Sequence, residues 1–188
     1  MNLSGASSPA RLIAGAVSLA VVLSACGSET SSASPSPTSE TTVAASPCPT
    51  ATPAGTGEAE WTLSGTTGSV AVTGSTETAA PRVDVTPPFR VSETQVHTLK
   101  AGDGAVVPAT ASVSVCYMGV NGRDGSVFDS SYQRGAPVDF PLTGVVPGFQ
   151  KAITGQTVGS TVAVAVTSAD GYPQGQPRAG IQPGDTLI

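Results

Sequence analysis

The chain has 188 residues, a formal net charge of -5 and only 11% charged residues, with no basic cluster able to neutralise a run of phosphates, so nucleic acid is excluded as an expected partner. Glycine (22) and proline (16) are frequent while aromatics make up only 4%, which favours short strands, turns and linkers over long helices. Much of the N-terminal third is unsuited to packing a core, so one ordered domain is expected.

The first element is a targeting signal over residues 1–25. Arg11 precedes the uncharged run LIAGAVSLAVVL, which ends at Leu23. A bilayer-spanning helix needs about 20 apolar residues, so this shorter run reads as the apolar region of a signal peptide. Leu23-Ser24-Ala25-Cys26 follows directly, a branched apolar residue and two small residues before a cysteine, and resembles the lipobox of bacterial lipoproteins. That resemblance implies a diacylglycerol thioether on Cys26, loss of the peptide before it, and palmitate-like acyl chains that hold the mature N-terminus on the extracytoplasmic face of the cell membrane. Each buried CH₂ contributes roughly 0.8 kcal/mol, so two or more chains suffice for stable attachment. The alternative is an ordinary secretory signal cleaved near Ala25, which leaves Cys26 as a plain residue.

Residues 26–58 are almost entirely Ser, Thr, Ala, Pro, Gly and Glu. Such a stretch buries too little apolar surface to offset its ordering entropy, and it is expected to be a disordered tether stiffened by proline. A β-rich lead-in over 59–98 comes next. Trp61 to Gly74 alternates small apolar and polar residues around glycines, which predicts a strand or hairpin with Trp61 packed on the domain. Arg82 to Val85 and Phe89 to Val91 are further short alternating pieces, separated by the turn-forming Pro87-Pro88 pair.

The C-terminal half has clearer pattern. Val113, Val115 and Tyr117 fall on one face of a predicted strand with Ser114 and Cys116 on the other, and Val162, Val164 and Val166 alternate with small Thr and Ala partners. Phe140 and Leu142 follow a turn. Only Pro147 to Ile153 reads as helix, with Pro147 near its start and Gly155 just past its end. The expected class is α+β, a curved antiparallel sheet wrapped around one short helix, in a domain of roughly 100 residues.

Four separated stretches then become specific: VSVCYMG (113–119), DGSVFDSSYQRGAPVDFPL (124–142), VVPGFQKAITGQTVGS (145–160) and GYPQGQPRAGIQPGDTLI (171–188). In this order and spacing they resemble the FKBP family of peptidyl-prolyl cis/trans isomerases (rotamases), over a domain from residue 99 to residue 188. Leu99 to Gly104 is similar to the turn that opens such domains.

The resemblance implies a proline-binding cup with catalytic positions at Tyr117, Phe128, Asp129, Phe140, Phe149 and Tyr172, and substrate-binding positions at Val145, Val146 and Ile181. Phe149 would be its floor and Tyr117, Phe128 and Phe140 its walls. Val146 would offer its backbone N–H and Tyr172 its hydroxyl to the bound peptide, while Asp129 would accept from Tyr117. Rotation about a peptide bond transfers no proton or electron pair, so no cofactor, metal or covalent intermediate is expected. Expected partners are proline-containing polypeptides, with macrolide inhibitors bound more weakly than is usual in the family.

Three departures from the family pattern matter. Trp is commonest at the floor position, where this chain has Phe149, which predicts a weaker enzyme. The loop after Tyr172 reads Pro173-Gln174-Gly175 rather than glycine at once. The sequence stops at Ile188, where the family continues into a strand inside the sheet, so that strand is expected to be missing. Each buried apolar side chain of such a strand would contribute about 1.5–3 kcal/mol.

Cys48 and Cys116 are each expected in an oxidising compartment, where a bridge between them and two unpaired thiols remain equally open. His97 is the sole histidine and has no acidic or cysteine cluster beside it, so it reads as exposed or structural. Asp103 and Asp170 read as turn residues. Together these features point to a membrane-tethered isomerase of X-Pro bonds in exported proteins. A non-catalytic, chaperone-like binder of proline peptides is the alternative.

Overall fold

The computed structural model describes residues 46–53 and 57–188; the signal segment, Cys26 and most of the tether lie outside them. Alternating residues after position 60 build an antiparallel meander of β1 (Trp61–Ser64), β2 (Thr67–Thr73) and β3 (Arg82–Arg90), in the order β1-β2-β3. Trp61 lies opposite Val72 and Leu63 opposite Val70, while Val70 and Val72 face Val85 and Val83 across the next ladder, so one face of the meander is apolar. β3 runs through Pro87-Pro88, joined by a cis bond, instead of turning there. It occupies a sheet edge, where two residues without N–H groups are tolerated.

The remaining strands form antiparallel pairs. β4 (Gln95–Lys100) pairs with β9 (Thr161–Ala165), β5 (Ser112–Val115) with β8 (Val138–Pro141), and β6 (Met118–Val120) with β7 (Val127–Ser130). β4 thus straddles residue 99, where the sequence reading begins the isomerase domain. The last residues are strung between two of these pairs. Leu187 exchanges both backbone hydrogen bonds with Val166 at 2.7 and 3.0 Å, and Ile188 exchanges both with Val120 at 2.8 and 2.9 Å.

Among the described residues, two α-helices complete the fold. α2 (Pro147–Ile153) matches the predicted helix and packs on β9 and β4. α1 (Ser131–Arg134) is a single turn that the sequence reading lacks. It is closed at both ends: Ser130 Oγ accepts from the Gln133 N–H, and Gly135 takes the left-handed conformation at φ +69°.

β9 is covered on both faces, and its alanines are the deeper residues. Ala163 and Ala165 are buried against Val70, Val72 and Phe89 of the meander, with Trp61, Leu63, Leu99 and Ile188 around them, while Val162 and Val164 are half-buried. Alanine on this face lets the meander approach closely. Phe89 is fully buried there, worth about 1.5–3 kcal/mol of transfer free energy.

Residues 113–117 do not form one continuous strand as expected. β5 stops at Val115, so Cys116 and Tyr117 leave the alternation and strand period no longer assigns their faces. Cys116 is half-buried, not outward, and is bridged to Cys48 with a Cα–Cα distance of 5.6 Å. Residues 46–53, read as tether, are docked on the domain. Cys48 is 3% exposed and packs with Ala80 and Tyr132, and the Ala80 N–H donates to the Ala51 carbonyl at 2.9 Å. The cross-link supplies an ordering constraint that composition does not carry.

Candidate active site

Three rings from three separate elements meet edge to face. Tyr117 comes from the break between β5 and β6, Phe140 from β8, and Phe149 from the first turn of α2, whose start Pro147 presets. Their centroids are 5.7 Å apart for Tyr117 and Phe140, 6.1 Å for Tyr117 and Phe149, and 5.5 Å for Phe140 and Phe149. Such geometry sets the positive edge of one ring against the negative face of the next. All three are half-buried, so the cluster keeps a solvent-facing side.

One edge of the cluster is polar. The Tyr117 hydroxyl donates to Asp129 Oδ2, the Arg134 guanidinium donates to Asp129 Oδ1 at 2.6 Å and to the Tyr117 oxygen at 3.2 Å, and its central carbon lies 5.8 Å from the Tyr117 ring centroid. Burial alone would raise the Asp129 pKa, but the hydrogen bonds from Arg134 and Tyr117 outweigh it and hold the carboxyl below its ordinary value. Burial pushes the Tyr117 phenol up, and the neighbouring Asp129 adds to that. Tyr117 therefore remains a protonated donor at neutral pH. Arg134 is absent from the sequence reading. The available signal was its place five residues after Asp129, at the end of a turn bounded by Ser130 and Gly135.

Phe128, Tyr172 and Ile181 form a second group. They pack around Val166 and Leu187 together with Val164 and Ala179, with Ile181 buried at 3% exposure. A Cβ on Gly119 would overlap the Phe128 ring, so the absence of a side chain there admits the phenyl group. The two groups are linked through α2, because Gly148, directly before Phe149, lies against Val166.

Val145 and Val146 are half-buried in the turn leading into α2. The Val146 carbonyl accepts from the N–H groups of Phe149 and Gln150 at 3.0 and 3.2 Å, while the Val146 N–H donates to no backbone carbonyl among the described residues. Cys26 lies outside them. His97 is exposed and stacks on Trp61 at 5.6 Å. Asp170 is more than a turn residue: it accepts from Lys151 Nζ and from the Thr94 hydroxyl, each at 2.6 Å, and these bonds lower its pKa.

The FKBP-type 22 kDa peptidyl-prolyl cis-trans isomerase of Escherichia coli is 38% identical over 94 residues, covering 50% of this chain and 45% of that protein. The peptidyl-prolyl cis-trans isomerase Mip of Coxiella burnetii is 39% identical over 97 residues, covering 50% of this chain and 40% of the relative. The crystal structure of FkpA from Escherichia coli aligns at a TM-score of 0.45 with 32% identity, over 50% of this chain and 43% of that one. This chain spans somewhat less than half the length of these curated relatives. The profile of FKBP-type peptidyl-prolyl cis-trans isomerases matches residues 90–188, from the last residue of β3 through both groups of site residues, and the chain belongs to that family.

Proposed function

We propose that this chain accelerates cis/trans rotation of X-Pro peptide bonds in exported proteins, at the outer face of the cytoplasmic membrane, where acyl chains on Cys26 hold it. The observation that carries the activity is the edge-to-face cluster of Tyr117, Phe140 and Phe149 with a hydrogen-bonded Asp129 at its rim. Amide rotation must break C–N double-bond character against a barrier of about 18–20 kcal/mol. A twisted amide has a less polar carbonyl and a pyramidal nitrogen, so an apolar cup disfavours the planar, hydrated ground state relative to it.

In this reading the prolyl ring rests on Phe149 between Tyr117 and Phe140, and Asp129 stands beside the rotating bond. The Val146 N–H takes a carbonyl of the bound peptide. Phe128, Ile181 and Val145 close the cup, and Tyr172 reaches the peptide with its hydroxyl. Uncatalysed isomerisation takes tens to hundreds of seconds, slow enough to limit folding, so the activity has a use wherever proteins fold after export.

A proline-limited refolding assay with the chain freed of residues 1–25 tests the activity: a folded protein that gives no acceleration at high concentration rejects it. Palmitate labelling and membrane fractionation of the full chain against Cys26→Ser test the anchor, which fails if the variant fractionates like the parent. One observation favours a second reading, a proline-peptide binder without turnover: Tyr172 packs with Val166, Ile181 and Leu187 rather than with the three-ring cluster. Peptide binding with no acceleration would select that reading.

A further inference from the structure

Tyr117 occupies a position that no strand holds. β5 ends at Val115 and pairs with β8, β6 begins at Met118 and pairs with β7, and Cys116 and Tyr117 bridge the break without ladder hydrogen bonds. A side chain at such a break keeps its direction only if groups outside the sheet fix its backbone. Ser131 is one of these. It is fully buried, its Oγ accepts from the Tyr117 N–H at 2.8 Å, and its own N–H donates to the Tyr117 carbonyl at 2.9 Å.

The other is the bridge one residue earlier. Cys116 is joined to Cys48, whose Sγ lies 3.6 Å from the same Ser131 Oγ. Cys48 is anchored in turn, because its N–H donates to the Gly135 carbonyl at 3.2 Å and Gly135 caps α1, the turn that delivers Arg134 to Asp129 and to the Tyr117 hydroxyl. Disulfide, Ser131 and α1 therefore close a ring of contacts around the Tyr117 backbone.

We propose that the Cys48–Cys116 disulfide is a positioning device for Tyr117, so that the site works in the oxidised chain and is turned down by dithiol reductants. The proposal rests on the isomerase reading above. In the reduction, the cystine gains two electrons and two protons and becomes two thiols, while the dithiol loses them and closes to its own disulfide. Cys116 is then released from Cys48, and Tyr117 loses its alignment with Phe140 and Phe149.

The test uses the full chain, oxidised and then treated with dithiothreitol, followed by kcat/KM on a proline peptide and by the NMR signals of the Tyr117 ring and amide. Trp61, the single tryptophan, stacks on His97 in the meander and monitors the fold. Reduction is expected to move the Tyr117 signals and lower kcat/KM roughly fivefold or more at constant Trp61 emission, reversibly on reoxidation. Cys48→Ala/Cys116→Ala should match the reduced chain and no longer respond to dithiol; if that variant does not fold, reduction of the native protein decides. Two newly titratable thiols with unmoved Tyr117 signals overturn the proposal, and so does a loss of activity that only tracks Trp61 emission. An oxidised chain without activity counts against the isomerase reading alone, since the Tyr117 signals still report whether the bridge positions the ring.

Discussion

The phenolic oxygen of Tyr117 and the carboxylate of Asp129 share one hydrogen bond, and the Arg134 guanidinium spans both partners from the side. Tyr117→Phe keeps the ring and its contacts with Phe140 and Phe149 but removes that donor. Catalytic efficiency should fall roughly three- to tenfold, about 0.7–1.4 kcal/mol, with little change in denaturation midpoint. The Asp129 pKa should rise towards the ordinary carboxylate range because one of the bonds lowering it is gone. Steady-state kinetics and carboxyl NMR titration check both parts; an unchanged kcat/KM would remove the hydroxyl from the site.

Phe149 sits at the start of α2 with both of the other rings against it. Phe149→Trp enlarges the surface offered to a prolyl ring. We expect kcat/KM and macrolide affinity to increase together by roughly fivefold, equivalent to about 1 kcal/mol of added apolar contact. Paired kinetic and calorimetric titrations measure it, and a decrease in both would show that the cup has no room for the larger ring.

Gly148 precedes Phe149, and a Cβ built on it would collide with the Val166 side chain. Gly148→Ala should therefore push α2 away from Val166. The expected cost is about 1–3 kcal/mol of stability, with reduced activity because Phe149 moves with the helix. Urea denaturation alongside the peptide assay tests this; a variant as stable and active as the parent contradicts it.

Phe89 lies just before the family match begins, yet it is fully buried against Ala163 and Ala165 of β9. Phe89→Ala should destabilise the chain by about 3–5 kcal/mol. Trp61 emission and far-UV circular dichroism should lose structure in a single transition. Two separate transitions would mean that the meander and the isomerase strands unfold independently.

Asp185 is nearly fully buried and accepts from the Gln182 N–H and from Asn121 Nδ2, each at 2.8 Å, with Arg123 Nε at 3.4 Å. Burial works to raise its pKa, but these donors more than offset it and hold the carboxyl below its ordinary value. The folded state therefore binds the proton less readily than the unfolded chain, whose carboxyl titrates near about 3.9. The stabilisation is complete above that value and is lost as pH falls through the lower, folded one. Asp185→Asn should cost about 1–3 kcal/mol at neutral pH. The gap to the parent should shrink in acid, as denaturant titrations at several pH values will show; a gap independent of pH would exclude the charge as its cause.

The parts of this fold legible in the sequence are those with local causes. Pro147 and Gly155 bracket α2, and the alternation of residues 161–165 gives β9. What escaped has non-local causes. VSVCYMG carries no mark of the break after Val115, because the break follows from β5 and β6 choosing different partners. The valines of β9 look like the inner face until the meander covers Ala163 and Ala165. Arg134 reads as a surface charge until α1 turns it onto Asp129. Site residues emerged from the sequence through resemblance, and the structure brings Tyr117, Asp129, Phe140 and Phe149 together while Phe128, Tyr172 and Ile181 gather around Val166.

The pairing of Val70, Val72 and Phe89 with Ala163 and Ala165 joins segments up to about 95 residues apart in the chain. During synthesis the oily side of the meander emerges long before its counterpart exists. That side must stay solvated, or be shielded by a helper, until β9 arrives, and long-range closure of this kind is intrinsically slow.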